Sequence, residues 1–208
     1  MLTIDRRTFL SALTAAALFG APALAQGTVS VMDLHAPSAL GDKVLGNENA
    51  PVTVVEYASM SCPHCGAFHR ETFDAFRQKY VDSGQVRFIF REFPLDASAF
   101  AGAMAARCAP ADRYYEVVDA YFDKQDEWLG VQDLYGAMLR IAEPFGFTRQ
   151  SFEACLSNQA LFEGLSAERT RASEKFGVQA TPTFFINGQK REGALSLEEL
   201  DAAIQPLL

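Results

Sequence analysis

The chain has no block of lysine or arginine, no internal repeat and no low-complexity segment. Eighteen basic residues stand against 26 acidic ones, for a formal net charge of −8. Binding to phosphate backbones needs clustered positive charge, so this composition argues against a nucleic-acid partner. Cysteine is scarce, with four residues at positions 62, 65, 108 and 155. A closed zinc site takes four ligands, often from two closely spaced cysteine pairs. Only one such pair is present, and Cys108 and Cys155 stand alone. His69 offers a third ligand, but His64 lies inside the loop between Cys62 and Cys65. Covalent haem attachment needs histidine directly after the second cysteine, and Gly66 occupies that position. No metal and no cofactor are therefore expected.

What the chain does have is Cys62-Pro63-His64-Cys65, just after the apolar run Val52-Thr53-Val54-Val55-Glu56-Tyr57 and at the start of a helical pattern. Two intervening residues let one helical turn bring the sulfurs within bonding distance. A C-x-x-C pair at a strand-to-helix junction reads as a redox motif. Cys62 falls at the helix N-terminus, where unpaired N–H groups and the positive end of the helix dipole favour a thiolate. Cys62 is thus the expected nucleophile and Cys65 the resolving thiol. An inert structural bridge is the alternative, but so small a loop removes little entropy from the unfolded chain.

Residues 1–25 read as an export signal. Arg6 and Arg7 precede a mostly apolar, alanine-rich stretch from Phe9 to Leu24, and Ala23-Leu24-Ala25 is an A-x-A cleavage pattern before Gln26. Asp5-Arg6-Arg7-Thr8-Phe9-Leu10 resembles a twin-arginine signal, with general secretion as the other route. Gly20 and Pro22 interrupt the stretch, which disfavours a membrane anchor. Export implies an oxidising compartment, here the periplasm. The loss of residues 1–25 would make the chain more acidic still. In that compartment Cys108 and Cys155 are expected to form a second disulfide, stabilising by roughly 3–4 kcal/mol, with two buried free thiols as the alternative.

The expected organisation is an N-terminal arm over 26–50 with one short strand, a first domain segment over 51–96, a helical insert over 97–172 and a second domain segment over 173–208. Residues 52–57 suit a central strand covered on both faces. Residues 62–80 suit a helix, with Pro63 in the first turn where it costs little. Phe73, Phe76 and Tyr80 share its buried face. Residues 86–90 form a second strand. Four or five helices are expected in the insert, broken at Pro110, Gly130 and Pro144-Phe145-Gly146, with Thr148 and Ser157 as N-caps. Thr183-Phe184-Phe185-Ile186 is a third strand, Asn187-Gly188 a hairpin turn into residues 190–193, and Ser196 with Glu199 a capping box. The order gives an α/β thioredoxin-like fold with an inserted all-helical subdomain.

The segments Val55-Glu56-Tyr57-Ala58-Ser59-Met60-Ser61-Cys62-Pro63-His64-Cys65 and Ala180-Thr181-Pro182-Thr183-Phe184-Phe185-Ile186-Asn187-Gly188 resemble the active-site and cis-proline segments of the bacterial DsbA-like thiol:disulfide oxidoreductases. The resemblance spans essentially all of the chain after the export signal. It implies a dithiol oxidase that introduces disulfides into exported proteins and is recharged by a membrane quinone-linked thiol oxidase; residues 26–50 are too short for the N-terminal dimerisation domain usual in isomerases of this type, which favours an oxidase acting as a monomer. Pro63-His64 is the dipeptide of the oxidase branch. Thr181 departs from the best-known oxidase, which has an apolar residue there, and keeps a reductase or isomerase of the same fold in view. A metal-binding protein using Cys62, Cys65 and His69, and a chaperone with an incidental disulfide, are rivals from other classes.

His64 is expected to stabilise the Cys62 thiolate by charge or hydrogen bonding, with a solvated loop imidazole as the bland alternative. Glu56, an acid within an apolar strand, is expected to carry protons if buried. The resemblance places it beneath the active site, serving Cys65, whereas a solvated edge position would give it no such task. The resemblance also implies a cis bond before Pro182, with Thr181 pairing with an extended substrate segment. His69 lies four residues beyond Cys65 and is read as a surface or packing residue. His35 is assigned no role.

Overall fold

The computed structural model describes residues 29–208, so the export signal expected over 1–25 lies outside the described residues. Five strands form one mixed sheet in the order β1-β3-β2-β4-β5. They are β1 (Lys43–Leu45), β2 (Val52–Ala58), β3 (Val86–Glu92), β4 (Thr183–Ile186) and β5 (Gln189–Glu192). Only β2 and β3 run parallel, joined by the helical crossover that carries the cysteine pair, and the other neighbours are antiparallel. This is the expected thioredoxin-like fold.

The sheet is covered on both faces, which explains why β2 is apolar along its length. Side chains alternate along a strand. Val52, Val54 and Ala58 face the larger core, which contains Cys65, Phe68, Phe73, Phe76 and Tyr80. Val55 and Tyr57 face a smaller core with Leu34, Ala172 and Phe176. By the same alternation Glu56 points to the larger core, under the cysteine-bearing helix.

That helix covers residues 63–81 in four stretches. α2 (Pro63–Phe68) leads into a π-helical stretch, His69–Phe73, then α3 (Asp74–Phe76) and a second π stretch, Arg77–Val81. π insertions of this kind often accompany functional sites. Phe73, Phe76 and Tyr80 lie on its fully buried face, as the spacing predicts.

Between β3 and β4 lie α4 (Ala97–Cys108), α5 (Tyr114–Asp123), α6 (Gln125–Trp128), α7 (Leu134–Ala142), α8 (Arg149–Leu156) and α9 (Gln159–Phe176). These are six α-helices rather than four or five, because the backbone leaves helical geometry at Lys124 and separates the one-turn α6 from α5. α9 also continues past residue 172, ending at Gly177 in the left-handed region with φ 64°. Thr148 caps α8 through a reciprocal capping box with Ser151. Ser157 is not an N-cap: it closes α8, and Asn158 starts α9 by accepting from the Leu161 N–H at 3.1 Å. The arm holds β1 as expected and also α1 (Val31–His35), capped by Ser30. Asn187 and Gly188 both take positive φ, 45° and 83°, which suits a tight hairpin between β4 and β5. α10 (Leu197–Ile204) opens with the expected Ser196–Glu199 capping box. Among the described residues no helix is long and apolar enough to cross a membrane.

Candidate active site

β2 ends at Ala58, and residues 59–61 turn the chain into α2 with Cys62 at its N-cap and Pro63 in the first turn. Proline fits there because the first helical N–H groups have no intrahelical acceptor. The Cys62 N–H donates to the Ser59 carbonyl at 3.0 Å, and the Cys62 carbonyl accepts from the Gly66 N–H at 3.1 Å. Cys62 and Cys65 are both free thiols and both buried, Cys62 at 6% exposure and Cys65 at 0%.

Their environments push them in opposite directions. Cys62 is lowered from the ordinary thiol range to about 5. The largest cause is a hydrogen bond from the Cys65 thiol. Burial opposes it, and Thr181 and the backbone N–H groups of Cys65 and His64 assist. The Cys62 thiol donates to the Thr181 carbonyl at 3.2 Å. A carbonyl cannot stabilise a thiolate, so the Thr181 contribution belongs to its hydroxyl, which is buried and makes no hydrogen bond while the Cys62 thiol points at the carbonyl. Cys65 is raised well above the thiol range, first by burial, then by the hydrogen bond it gives to Cys62 and by the charge of Glu56. At neutral pH the pair is therefore one thiolate and one thiol.

Thr181–Pro182 is a cis peptide that sets this loop against Cys62. His64 is exposed on the first turn. What it lends Cys62 in this arrangement is its backbone N–H, with the imidazole turned to solvent.

Glu56 has no solvent exposure, which rules out the solvated edge position: β2 is flanked by β3 and β4. Its Oε2 lies 3.2 Å from His69 Nε2, while Oε1 is buried without a partner. His69 is 6% exposed, so the surface reading of it is wrong. The ring stacks on Phe122 of α5 at 4.2 Å between centroids and packs on Phe73 at 4.7 Å. Its Nδ1 faces Asp119 Oδ1 at 3.6 Å, an ion-pair distance. Burial disfavours the charged ring, yet the carboxylates of Glu56 and Asp119 outweigh it and bring His69 up to about 9.

The helical insert also reaches the active-site loop, which sequence reasoning missed. Gln125 is buried, and its Nε2 donates to the carbonyls of Met60 at 2.8 Å and Cys62 at 3.0 Å. Arg70 holds the other end, donating to Gln125 Oε1 and to the Phe122 carbonyl. Gly66 is required by this approach, since a Cβ there would run into the Gln125 amide. Ser61 donates to Asp96 at 2.6 Å, tying the loop to the N-cap of α4. Nothing in the local sequence marks Gln125, a polar residue at ordinary helical spacing.

Cys108 and Cys155 are bonded to each other, with Cα atoms 6.1 Å apart, and join the end of α4 to α8. Among the described residues no group of three or more His, Cys, Asp or Glu side chains is arranged to hold a metal ion.

A family described as thioredoxin matches residues 38–206. A protein of Rickettsia bellii named as a protein-disulfide oxidoreductase is 32% identical over 165 residues, covering 78% of this chain and 63% of that protein. The chain thus spans somewhat under two thirds of that relative. Disulfide bond formation protein D of Bacillus subtilis is 25% identical over 182 residues, covering 81% of this chain and 78% of that one. Among solved structures, α-DsbA1 of Wolbachia pipientis superposes with a TM-score of 0.77 at 31% identity, covering 84% of this chain and 94% of that one. The chain belongs to the thioredoxin family, in its DsbA-like branch.

Proposed function

We propose that this protein is a thiol:disulfide oxidoreductase that introduces disulfide bonds into exported proteins in the periplasm. The observation that carries the reading is the opposite bias of two adjacent sulfurs: Cys62 is held as a thiolate and Cys65 as a thiol. In the oxidised protein a substrate thiolate attacks Cys62, forming a mixed disulfide and releasing Cys65 as a thiolate that must take up a proton. A second substrate thiolate then attacks its own mixed-disulfide sulfur and expels Cys62. Because Cys62 is a stable thiolate it leaves readily, so the reaction runs toward oxidised substrate. Glu56 is the proton carrier for Cys65, supported by its full burial and its unpartnered Oε1. Thr181 and Pro182 form the platform on which an extended substrate segment pairs, since proline leaves the backbone edge open beside Cys62. His64 acts on Cys62 chiefly through its backbone N–H. The substrates are reduced exported chains, and a membrane quinone-linked thiol oxidase restores the disulfide. Export follows the twin-arginine or the general secretory route.

Thiolate absorbance and turnover test this reading together. Ultraviolet absorbance of the reduced protein should show one thiolate titrating near pH 5, and the oxidised protein should oxidise a dithiol peptide. An unfolded cysteine titrates at about 8.5. The lowered folded value therefore stabilises the reduced form fully above about pH 8.5, and that stabilisation disappears as pH falls through about 5. A thiolate that appears only above pH 8 would remove the basis of the proposal.

A further inference from the structure

The buried acid has a second member that the exchange chemistry above does not use. Glu56, whose charge acts on Cys65, leads through His69 to Asp119 at the surface. Glu56 Oε1 is buried and unpartnered, Oε2 meets His69 Nε2 at 3.2 Å, and His69 Nδ1, also buried without a hydrogen-bond partner, lies at an ion-pair distance of 3.6 Å from Asp119 Oδ1. The side chains of Glu56 and His69 are 0% and 2% exposed, whereas that of Asp119 is 35% exposed. Only the outer end of the line touches water.

We propose that His69 is a positioning residue that lets Glu56 exchange a proton with Cys65 without leaving net charge in the core, by passing a different proton between Nδ1 and the surface at Asp119. The inference rests on the oxidoreductase reading and concerns how Cys65 changes protonation within it.

The proton balance shows why a histidine suits the position. In the resting dithiol form the pair is a carboxylate and an imidazolium, neutral in sum. When Cys65 attacks a mixed disulfide on Cys62, its proton passes to Glu56 Oε1. The Cys65 sulfur bonds to the Cys62 sulfur, the bond from Cys62 to the outgoing thiol breaks, and that thiol leaves with the electron pair. Glu56 is now neutral. An imidazolium left alone beside it would be an unpaired buried charge, which is costly. Loss of the Nδ1 proton toward Asp119 removes that charge and keeps the Nε2 proton on its bond to Glu56. The pair is neutral before and after. A lysine would offer one nitrogen and no separate outer face, while the imidazole presents two nitrogens to two carboxylates.

The other groups around the ring fit this account. Phe73 on its own helix, Phe90 of β3 and Phe122 of α5 enclose it and carry no charge. Tyr115 of α5, half-buried, donates its hydroxyl to the Lys43 carbonyl. Asp123, one turn beyond Asp119, feels the charge of both Asp119 and the ring and adds negative potential on the outer side. Arg70, the residue after the ring, is committed to the Phe122 carbonyl and to Gln125. The carboxylates hold the ring charged at neutral pH, so a proton is available at Nδ1.

The test separates two steps in the oxidation of the reduced full-length chain by glutathione disulfide across pH. The first step is attack by Cys62, which forms the glutathione mixed disulfide. The second is attack by Cys65, which expels glutathione. His69→Gln keeps a hydrogen-bond donor to Glu56 but cannot pass a proton. It should slow the second step roughly tenfold to a hundredfold near pH 7 and make it rise in proportion to hydroxide, while the first step changes less than about twofold. Asp119→Asn, on a partly exposed side chain, should slow the same step by a smaller factor of about threefold to tenfold and leave folding intact. A second step that keeps its wild-type rate and pH profile in both variants would overturn the inference while leaving the oxidoreductase reading in place. A wild-type protein in which Cys62 forms no mixed disulfide would overturn both.

Discussion

Replacing Cys62 with serine should reduce disulfide transfer to a dithiol peptide to the uncatalysed background. The serine oxygen cannot form a mixed disulfide, and Cys65 cannot take over because it is fully buried and held as a thiol. Cys65→Ser should behave differently. Cys62 keeps its N-cap position and the Thr181 contact, and the serine hydroxyl replaces the thiol as a hydrogen-bond donor to it. That variant should accumulate a mixed disulfide with substrate, because no resolving thiol remains. Mass spectrometry of the intact protein after exposure to a thiol-containing peptide reads both outcomes. Full activity in Cys62→Ser would mean that the disulfide is incidental and that the protein acts as a binding module.

The double variant Cys108→Ala with Cys155→Ala should lose stability while keeping its exchange chemistry. The bridge joins positions 47 residues apart, linking the end of α4 to α8. A loop of that length constrains the unfolded chain by roughly 3–4 kcal/mol, and at about 2–4 °C per kcal/mol for a chain of this size the melting temperature should fall by about 6–16 °C. Calorimetry of the oxidised forms measures it. The rate of the Cys62 reaction should be unchanged, since the loop at Cys62 is tied to the insert through Gln125 of α6 and Asp96 at the start of α4 rather than through the bridge. A fall of less than 2 °C would show that the unfolded chain is already restricted without the bridge.

Local rules made much of this molecule legible. The Cys62–Cys65 spacing, the all-buried β2, the Asn187-Gly188 hairpin and the Ser196–Glu199 capping box each depend on residues within a few positions of one another. Boundaries were less legible where two neighbours compete for one role. Ser157 and Asn158 are both capping residues, and Asn158 reaches the Leu161 N–H. α6 was missed because a single turn carries too little periodicity to stand apart from α5. The larger gap concerns long-range polar contacts. Glu56 and His69 are 13 positions apart, and Asp119 reaches the ring from the insert. Gln125 reaches Cys62 across 63 positions. No spacing rule joins residues on separate elements, so His69 reads as an ordinary neighbour of Cys65 until the sheet, the active-site helix and α5 are brought together.

The reduction potential of the Cys62–Cys65 pair, measured by equilibration with glutathione buffers while Cys108 and Cys155 remain bridged, tests the central claim most directly. Stabilising the Cys62 thiolate stabilises the reduced form and raises the potential. The value should therefore lie at about −180 mV or higher, in the range of protein oxidants. A potential near about −270 mV, where thioredoxin lies, would contradict the claim and mark the protein as a reductase.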